Sequence, residues 1–264
     1  MTTPTTRVPF LRPLPLLPLF CLLLAAASLG ACSKNNGSSL TSPTAPSTPS
    51  SSPEPSRAGL RTYVHDCAGV LATVEVTTGA VAIVGSTGLP LTDIAAAPNG
   101  ELYGMTAREL YAINTVTAQP RLIGTHAISG GNALVFGADG TLYGAGAFTT
   151  QLYRLDPQTG RATGVGNMGF GAGGDLAFSG GNFYVVSIAN QLVRLNLSNL
   201  PSSAVVGSLP LPDVYGLVGT PQGELYAAGG SRVVRVDPST AATMNEVTFT
   251  GDRIGAACGQ SLLR

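Results

Sequence analysis

The feature that most constrains this sequence is a repeat of about forty residues. Tyr103, Tyr143, Tyr184 and Tyr226 follow one another at intervals of 40, 41 and 42 residues. Each tyrosine stands in an apolar segment directly after a turn, in the strings PNGELYGM, ADGTLYGA, SGGNFYVV and PQGELYAA. A regular period of this size is typical of propellers and solenoids. Because solenoids with this period are usually helical and helical periodicity is absent here, the sequence favours a propeller.

Each unit of the repeat contains four predicted strands. A strand of small and apolar residues precedes each tyrosine, in the strings DIAAA, ALVFG, DLAF and YGLVG. A further strand follows the tyrosine strand, as in QLYRLDPQTG, where Pro and Gly favour a turn, and the strand ATGVG completes that unit. Four antiparallel strands form a propeller blade, with the small-residue strand innermost, where the blades crowd the axis.

The two ends of the repeat region supply a fifth unit. The string TYVHDCAGVLATVEVTTGAVAIVG matches strands two to four of a blade, and GDRIGAACGQSLL at the end of the chain matches strand one and the opening of strand two. Neither half is a blade alone, but together they complete one and leave no open sheet edge in the ring. The sequence therefore predicts an all-β fold, a five-bladed β-propeller over residues 58–264, with the N- and C-terminal strands closing one blade.

The repeat units resemble the NHL-like and SMP-30-like bacterial propellers. The resemblance lies in an apolar strand, a turn with Gly and a strand containing LY, and it spans most of residues 62–264. It implies a fold and leaves the activity open, because propellers include enzymes, binding modules and scaffolds. Trp is absent, which argues against WD-repeat propellers and tryptophan-docked quinoprotein blades.

Polar residues recur at or just before the predicted innermost strands, where loops surround one mouth of a propeller channel. They are Asp93, Asn132, Asp175, Asp213 and Asp252. The resemblance to SMP-30-like lactonases implies a metal at this mouth, held by carboxylate and amide oxygens of the kind that Ca²⁺ accepts. Asp and Asn also cap turns through local backbone hydrogen bonds. Because the offsets of these residues differ by one or two positions, turn capping is the favoured interpretation and a calcium site is the alternative.

No catalytic residues are assigned from the sequence. The string from Gly164 to Gly169 has the spelling G-x-G-x-x-G, but no helix follows it to bind a pyrophosphate. Neither G-x-S-x-G nor H-E-x-x-H occurs. The two histidines, His65 in a predicted strand and His126 in a predicted loop near the channel mouth, are interpreted as structural.

Cys67 and Cys258 fall in the same composite blade, which makes a disulfide between them a hypothesis. The bond would close a long loop and stabilise the domain by about 4 to 5 kcal/mol in the chain-entropy model. The alignment of repeats places Cys258 near the first hairpin and Cys67 several residues beyond it, a separation that argues against the bond unless the register shifts. Two free thiols are the alternative.

The first 31 residues are predicted to be a lipoprotein signal peptide. Arg7 and Arg12 precede an apolar run from Leu14 to Ala27, and the run is too short and too rich in Pro for a membrane span. The next four residues, Leu29-Gly30-Ala31-Cys32, resemble the lipobox of bacterial lipoproteins. The resemblance implies that Cys32 is acylated, and the Ser after it implies the outer membrane.

Residues 32–57 are predicted to be a disordered tether. They are rich in Ser, Thr and Pro and contain almost no large apolar side chain. The whole chain has 14 basic and 14 acidic residues without a basic cluster, so nucleic-acid binding is set aside. We expect a lipid-anchored, non-enzymatic propeller that binds a protein or carbohydrate in the periplasm or at the cell surface, with a metal-dependent lactonase-like hydrolase as the alternative.

Overall fold

The computed structural model describes residues 59–250 in full and the backbone of residues 251 and 257–262. The predicted signal peptide, the lipobox and the tether lie outside the described residues. Nearly all regular structure in the described part is β-strand, and its one helix is a 3-10 turn over Leu200–Ser202. No described helix has the length and apolar character needed to cross a membrane.

The strands form five antiparallel blades. The chain begins with three strands of one blade, β1 (Arg61–Asp66), β2 (Val70–Glu75) and β3 (Ala80–Ser86). Blade 1 consists of β4 (Asp93–Ala96), β5 (Leu102–Met105), β6 (Glu109–Ile113) and β7 (Pro120–Thr125). Blade 2 consists of β8 (Gly131–Phe136), β9 (Leu142–Gly146), β10 (Gln151–Leu155) and β11 (Ala162–Asn167). Blade 3 consists of β12 (Ala172–Ser179), β13 (Asn182–Ser187), β14 (Gln191–Leu195) and β15 (Ala204–Ser208), and blade 4 of β16 (Val214–Gly219), β17 (Leu225–Gly229), β18 (Arg232–Val236) and β19 (Thr243–Thr248).

The end of the chain completes the fifth blade, which we call the closing blade. Strand β21 (Ala257–Leu262) pairs antiparallel with β1, so that Thr62 faces Leu262 and His65 faces Gly259. Strand β20 (Thr250–Gly251) pairs parallel with the outer strand β3, an additional edge contact that the sequence pattern does not predict. The structure confirms the prediction of a five-bladed β-propeller closed by both ends of the repeat region.

The innermost strands of the blades, β4, β8, β12, β16 and β21, contact one another in sequence around the axis. They begin at one end of the ring, which we call the mouth face, and run towards the other end, the far face. The first residue of β1, Arg61, lies at the far face, because it pairs beside the end of β21. The described domain therefore begins at the far face.

The repeated tyrosine packs between blades. The ring of Tyr103 meets Phe136 of the next blade edge to face at 5.3 Å, and the ring of Tyr143 meets Phe183 in the same way at 5.0 Å. The hydroxyl group of Tyr103 donates to Glu101 at 3.2 Å, so the polar end of the ring is also bonded. The period in the sequence thus reflects one aromatic wedge at successive blade interfaces.

Candidate functional site at the channel mouth

Register places Asp93 and Asp175 at equivalent positions of the innermost strands. In each blade, one residue of the innermost strand pairs with the repeated tyrosine, as Ala95 pairs with Tyr103 and Ala177 with Tyr184. Two residues before that partner stand Asp93 in blade 1 and Asp175 in blade 3. The same position is occupied by Ala133 in blade 2 and Gly216 in blade 4. Two carboxyl groups from non-adjacent blades therefore project towards the axis, with small residues between them.

The two carboxyl groups accept hydrogen bonds from the backbone of four blades. Asp93 accepts from its neighbour Ile94 at 2.7 Å and from Leu134 of blade 2 at 2.5 Å. Asp175 accepts from its neighbour Leu176 at 2.6 Å and from Leu217 of blade 4 at 3.1 Å. These four amides occupy equivalent positions, one residue beyond the aspartate position. The amides lie at the axis, where the carboxyl groups satisfy them in place of solvent.

Burial holds a proton on this pair. Asp93 and Asp175 are both inaccessible to solvent, and their carboxyl groups hydrogen-bond to each other. Burial, followed by the neighbouring charge of Asp175, raises the pKa of Asp93 well above its usual range. Burial also raises the pKa of Asp175 to about 8, against the opposing effects of the hydrogen bond with Asp93 and of the backbone amides. A hydrogen bond between two carboxyl groups requires a proton on one of them, so the pair shares at least one proton at neutral pH.

A cavity of about 410 Å³ opens at the mouth face directly above the pair. Each blade contributes to its lining, which includes Cys67, Leu91, Thr92, Asn132, Gly174 and Tyr215. Thr92 and Gly174 immediately precede the two aspartates, so the carboxyl pair lies beneath the cavity. We call this cavity the mouth pocket.

Asn132 stands one residue before the aspartate position of blade 2 and lines the mouth pocket. Its Nδ2 donates to the carbonyl oxygen of Ala172 in blade 3 at 3.0 Å, which fixes the orientation of the amide. Its Oδ1 is buried and has no hydrogen-bond partner among the described residues. Oδ1 is therefore an acceptor at the wall of the pocket.

The remaining members of the predicted polar set do not join the pair. Asp213 lies before β16 with a positive φ of 53° and an exposed side chain. It lines a smaller cavity of about 220 Å³ beside Ser187 and Tyr215. Asp252 lies outside the described residues. Of the polar residues singled out in the sequence, Asp93 and Asp175 therefore meet at the axis. Asn132 and Asp213 line cavities at the mouth face.

Both histidines are buried. His126 Nε2 lies 3.0 Å from the carbonyl oxygen of Thr106, and its Nδ1 accepts from the amide of Ile128 at 3.1 Å. These partners define a neutral ring, and burial lowers the pKa of His126. His65 is inaccessible, and burial lowers its pKa to about 4. Neither ring is among the residues that line the mouth pocket.

Cys67 lies at the rim of the mouth pocket and is disulfide-bonded. The side chain of Cys258 lies outside the described residues, so the partner of Cys67 remains a prediction. The backbone register supports Cys258, because Ala257 pairs with Asp66 across the closing blade. The alignment of repeats suggested that Cys67 and Cys258 lie too far apart for a bond, but the structure places their chain neighbours Asp66 and Ala257 on paired strands.

Exposed apolar side chains lie on the mouth face, a feature that sequence analysis missed. Phe148 is 82% exposed, Ile188 67% and Tyr215 41%, and they belong to blades 2, 3 and 4. Gly171 lies between the mouth-face hairpins of blades 2 and 3. A methyl group on it would lie 2.8 Å from the Ala147 carbonyl oxygen and 3.4 Å from Ile188 Cγ2. We call Phe148, Ile188 and Tyr215 the apolar rim.

Two larger grooves are features of the blade architecture. A groove of about 570 Å³ lies within blade 1 between residues 99–102 and 112–121, and one of about 540 Å³ lies within blade 3 between residues 181–183 and 194–204. They occupy equivalent places at the far face, between the two hairpins of one blade. Because the grooves recur with the repeat and converge on no buried polar group, the mouth pocket is the stronger candidate site.

The described donor set at the axis does not fit a calcium site. Each carboxylate oxygen of Asp93 and Asp175 faces a backbone N–H, whose positive end would oppose a cation at the same oxygen. Ca²⁺ takes six to eight oxygen ligands. The described residues contain no group of three or more His, Cys, Asp and Glu side chains arranged to hold a metal.

Comparison with known proteins places the chain among propellers without assigning an activity. Residues 97–222 match a family described as a repeat of unknown function (DUF6923). No curated protein matches the sequence.

The similar solved structures share the fold at low sequence identity. A structure of a nidogen/laminin complex has 9% identity and a TM-score of 0.55, with 78% of this chain and 98% of that chain covered. A structure from work on the de novo evolutionary emergence of a symmetrical protein has 20% identity and a TM-score of 0.54, with 73% and 94% covered. XC5397 from Xanthomonas campestris, described as a gluconolactonase, has 16% identity and a TM-score of 0.50, with 77% and 80% covered. The chain is thus similar in fold to a chain of a nidogen/laminin complex and to a gluconolactonase alike.

Proposed function

We propose that this protein is a lipid-anchored propeller of the bacterial cell envelope, which binds a protein or carbohydrate partner through its mouth face. The observation that carries the binding role is the mouth pocket, to which all five blades contribute, together with the apolar rim on the same face. Exposed apolar side chains near a cavity often mark an interaction site.

The anchor is proposed from the sequence. Cys32 ends a lipobox-like string after a basic and an apolar region, and acylation of this residue would give a durable membrane attachment. The tether of residues 32–57 would span about 30 Å as a flexible chain. Replacing Cys32 with Ser is expected to move the protein from the membrane to the soluble fraction, and a variant that stays in the membrane fraction would contradict the anchor.

The direction of the chain supports the mouth face as the binding face. The described domain begins at Arg61 on the far face, so a tether from the membrane reaches the side opposite the mouth pocket. The mouth pocket is then free to face away from the lipid.

The side chains at the tips of individual hairpins support the same assignment. Far-face hairpins carry acidic side chains that cap their own turns, as Asp156 accepts from Gln158 and Asp237 from Ser239, both at 2.8 Å. The mouth-face hairpin of blade 2 instead presents Phe148 between Ala147 and Thr149. Exposed apolar side chains such as Phe148 fit a neutral partner surface or the apolar face of a sugar ring.

Site-specific photo-crosslinking in living cells tests the binding face. A photoreactive amino acid replaces Phe148 on the mouth face, or Val116, which is 80% exposed in a far-face hairpin and so makes a matched control. We expect a discrete crosslinked product from position 148 that is absent from position 116. Equal products from both positions, or a product from position 116 alone, would contradict the assignment.

The competing proposal is a metal-dependent lactonase-like hydrolase. The position of Asp93 and Asp175 beneath the mouth pocket motivates it, although their four carboxyl oxygens already accept backbone N–H groups. Calcium-dependent thermal stabilisation that disappears in an Asp93→Ala/Asp175→Ala variant would support the hydrolase. The binding proposal predicts that Ca²⁺ leaves the melting temperature of the native protein unchanged.

A further inference from the structure

The carboxyl pair at the axis satisfies backbone groups that no strand can reach. An innermost strand of a propeller has a partner on one side only, so its inward-facing amides have no strand to pair with. In blades 1 to 4, the amides of Ile94, Leu134, Leu176 and Leu217 meet this problem at one level of the axis. Two side chains with two oxygens each provide four acceptors for these four amides.

The pattern of bonds joins blades in two pairs. Asp93 bonds blade 1 to blade 2, and Asp175 bonds blade 3 to blade 4. The hydrogen bond between the two carboxyl groups then joins the pairs across the axis. Placing an aspartate in alternate blades suits this purpose, because the small side chains of Ala133 and Gly216 leave room for the carboxyl groups to meet.

We propose that Asp93 and Asp175 form a proton-sharing clamp that joins four blades at the axis, and that they do not form a cation site. The shared proton lies between one carboxyl oxygen and the other and neutralises one of the two charges. The remaining charge is balanced by the four amide dipoles. The inference depends on the fold and the hydrogen bonds, and it holds whether or not the proposed binding function is correct.

The surroundings of the clamp contain no described counter-charge. Strands β4, β8, β12 and β16 carry no titratable side chain besides Asp93, Asp175 and Tyr215, and Tyr215 is 41% exposed at the mouth face. The side chains of β21 are not described. Among the described groups, a proton is therefore what neutralises the pair.

Infrared spectroscopy at pH 7 tests the clamp directly. A protonated carboxylic acid shows a C=O stretching band that a carboxylate lacks. We expect this band in the native protein and its loss in both D93N and D175N, because an amide N–H then takes the place of the shared proton. D139N is the control, since Asp139 is an exposed turn residue that bonds to Thr141. This variant is expected to keep the band.

Stability measurements provide the second readout. Each asparagine has one acceptor oxygen in place of two, so one buried amide loses its partner and the melting temperature is expected to fall by about 2 to 10 °C. D139N is expected to melt like the native protein. Absence of the acid band in the native protein would overturn the proposal, and so would a rise in its melting temperature on addition of CaCl₂. Both of these tests use the native chain, so they decide the question even if the variants fail to fold.

Discussion

The carboxyl clamp predicts that the protein loses stability as the pH rises from 6.5 to 8. The pKa of Asp175 is about 8 in the folded protein, against an ordinary value of 3.8. In this interval the folded protein keeps the shared proton while the unfolded chain has lost it. Stability from a raised carboxyl pKa is complete below about pH 4 and is lost as the pH rises through the folded pKa, so the free energy of unfolding decreases with pH here.

The histidines determine where this effect can be measured. Burial lowers the pKa of His65 to about 4 from 6.5, and it also lowers the pKa of His126. Between pH 4 and 6.5 the unfolded chain binds protons that the folded protein excludes, so the histidines make stability rise with pH and offset the clamp. Above pH 6.5 the unfolded chain loses its remaining histidine protons, so this opposing effect fades and is nearly absent by about pH 7.5.

The magnitude follows from the width of this interval. One proton contributes about 1.36 kcal/mol per pH unit. Because the histidines still oppose the clamp near pH 6.5 and Asp175 is partly deprotonated near pH 8, a rise from pH 6.5 to 8 costs about 1 kcal/mol. For a domain of this size the loss corresponds to about 2 to 4 °C in melting temperature. The measurement is urea or thermal unfolding at closely spaced pH values, with D139N as the control that keeps the native slope.

The D175N variant separates the clamp from other titrating groups. It has no carboxyl proton to lose at position 175, and its side-chain amide donates to Asp93, so we expect its stability not to fall from pH 6.5 to 8 as that of the native protein does. A native protein whose stability is level or rises over this interval would refute the reasoning. A D175N variant that keeps the full native slope would do the same.

Three further predictions concern packing, the disulfide and the rim. A methyl group on Gly219 would collide with the carbonyl oxygen of Phe178 in the neighbouring blade, so G219A is expected to cost about 1 to 3 kcal/mol in urea unfolding, while G164A, which meets nothing within 4 Å, should be neutral. A Cys67–Cys258 bond is expected to appear as a linked peptide in a non-reducing mass map, and its reduction should lower stability by about 4 to 5 kcal/mol in the chain-entropy model; peptides that link Cys67 to any other residue would contradict it. Because Phe148 is 82% exposed, F148S should leave the melting temperature unchanged. The same substitution should weaken crosslinking of the partner to a photoreactive amino acid placed at position 188. A marked loss of stability would instead show that the Phe148 ring packs against the domain.

The fold was predictable because its repeat leaves a mark at every blade interface. Tyr103 and Tyr143 each pack against an aromatic ring of the next blade, so their spacing records the size of a blade. The closing blade was predictable because each end of the chain matches a complementary part of that unit. Strand β20 was not predictable, since a parallel contact of two residues leaves no periodic signal.

The site was predictable only in part. Asp93 and Asp175 were identified because polar residues in otherwise small, apolar strands are conspicuous, but their proton and their backbone partners depend on register across blades. Asn132 differs from them by one position, which directs its amide to Ala172 instead of the axis. The apolar rim was not predictable, because the sequence alone does not show whether an apolar residue such as Phe148 or Ile188 is exposed or buried.

Hydrogen exchange in strand β1 of the intact chain tests the closed ring most directly. Strand β1 is paired on one side with β2 and on the other with β21, so the amides of Tyr63, Val64 and His65 are expected to exchange slowly as a continuous group. If the ends of the repeat region do not meet, β1 is an edge strand, and alternate amides along it will exchange rapidly. Continuous protection is the result that the closed ring predicts, and the alternating pattern would contradict it.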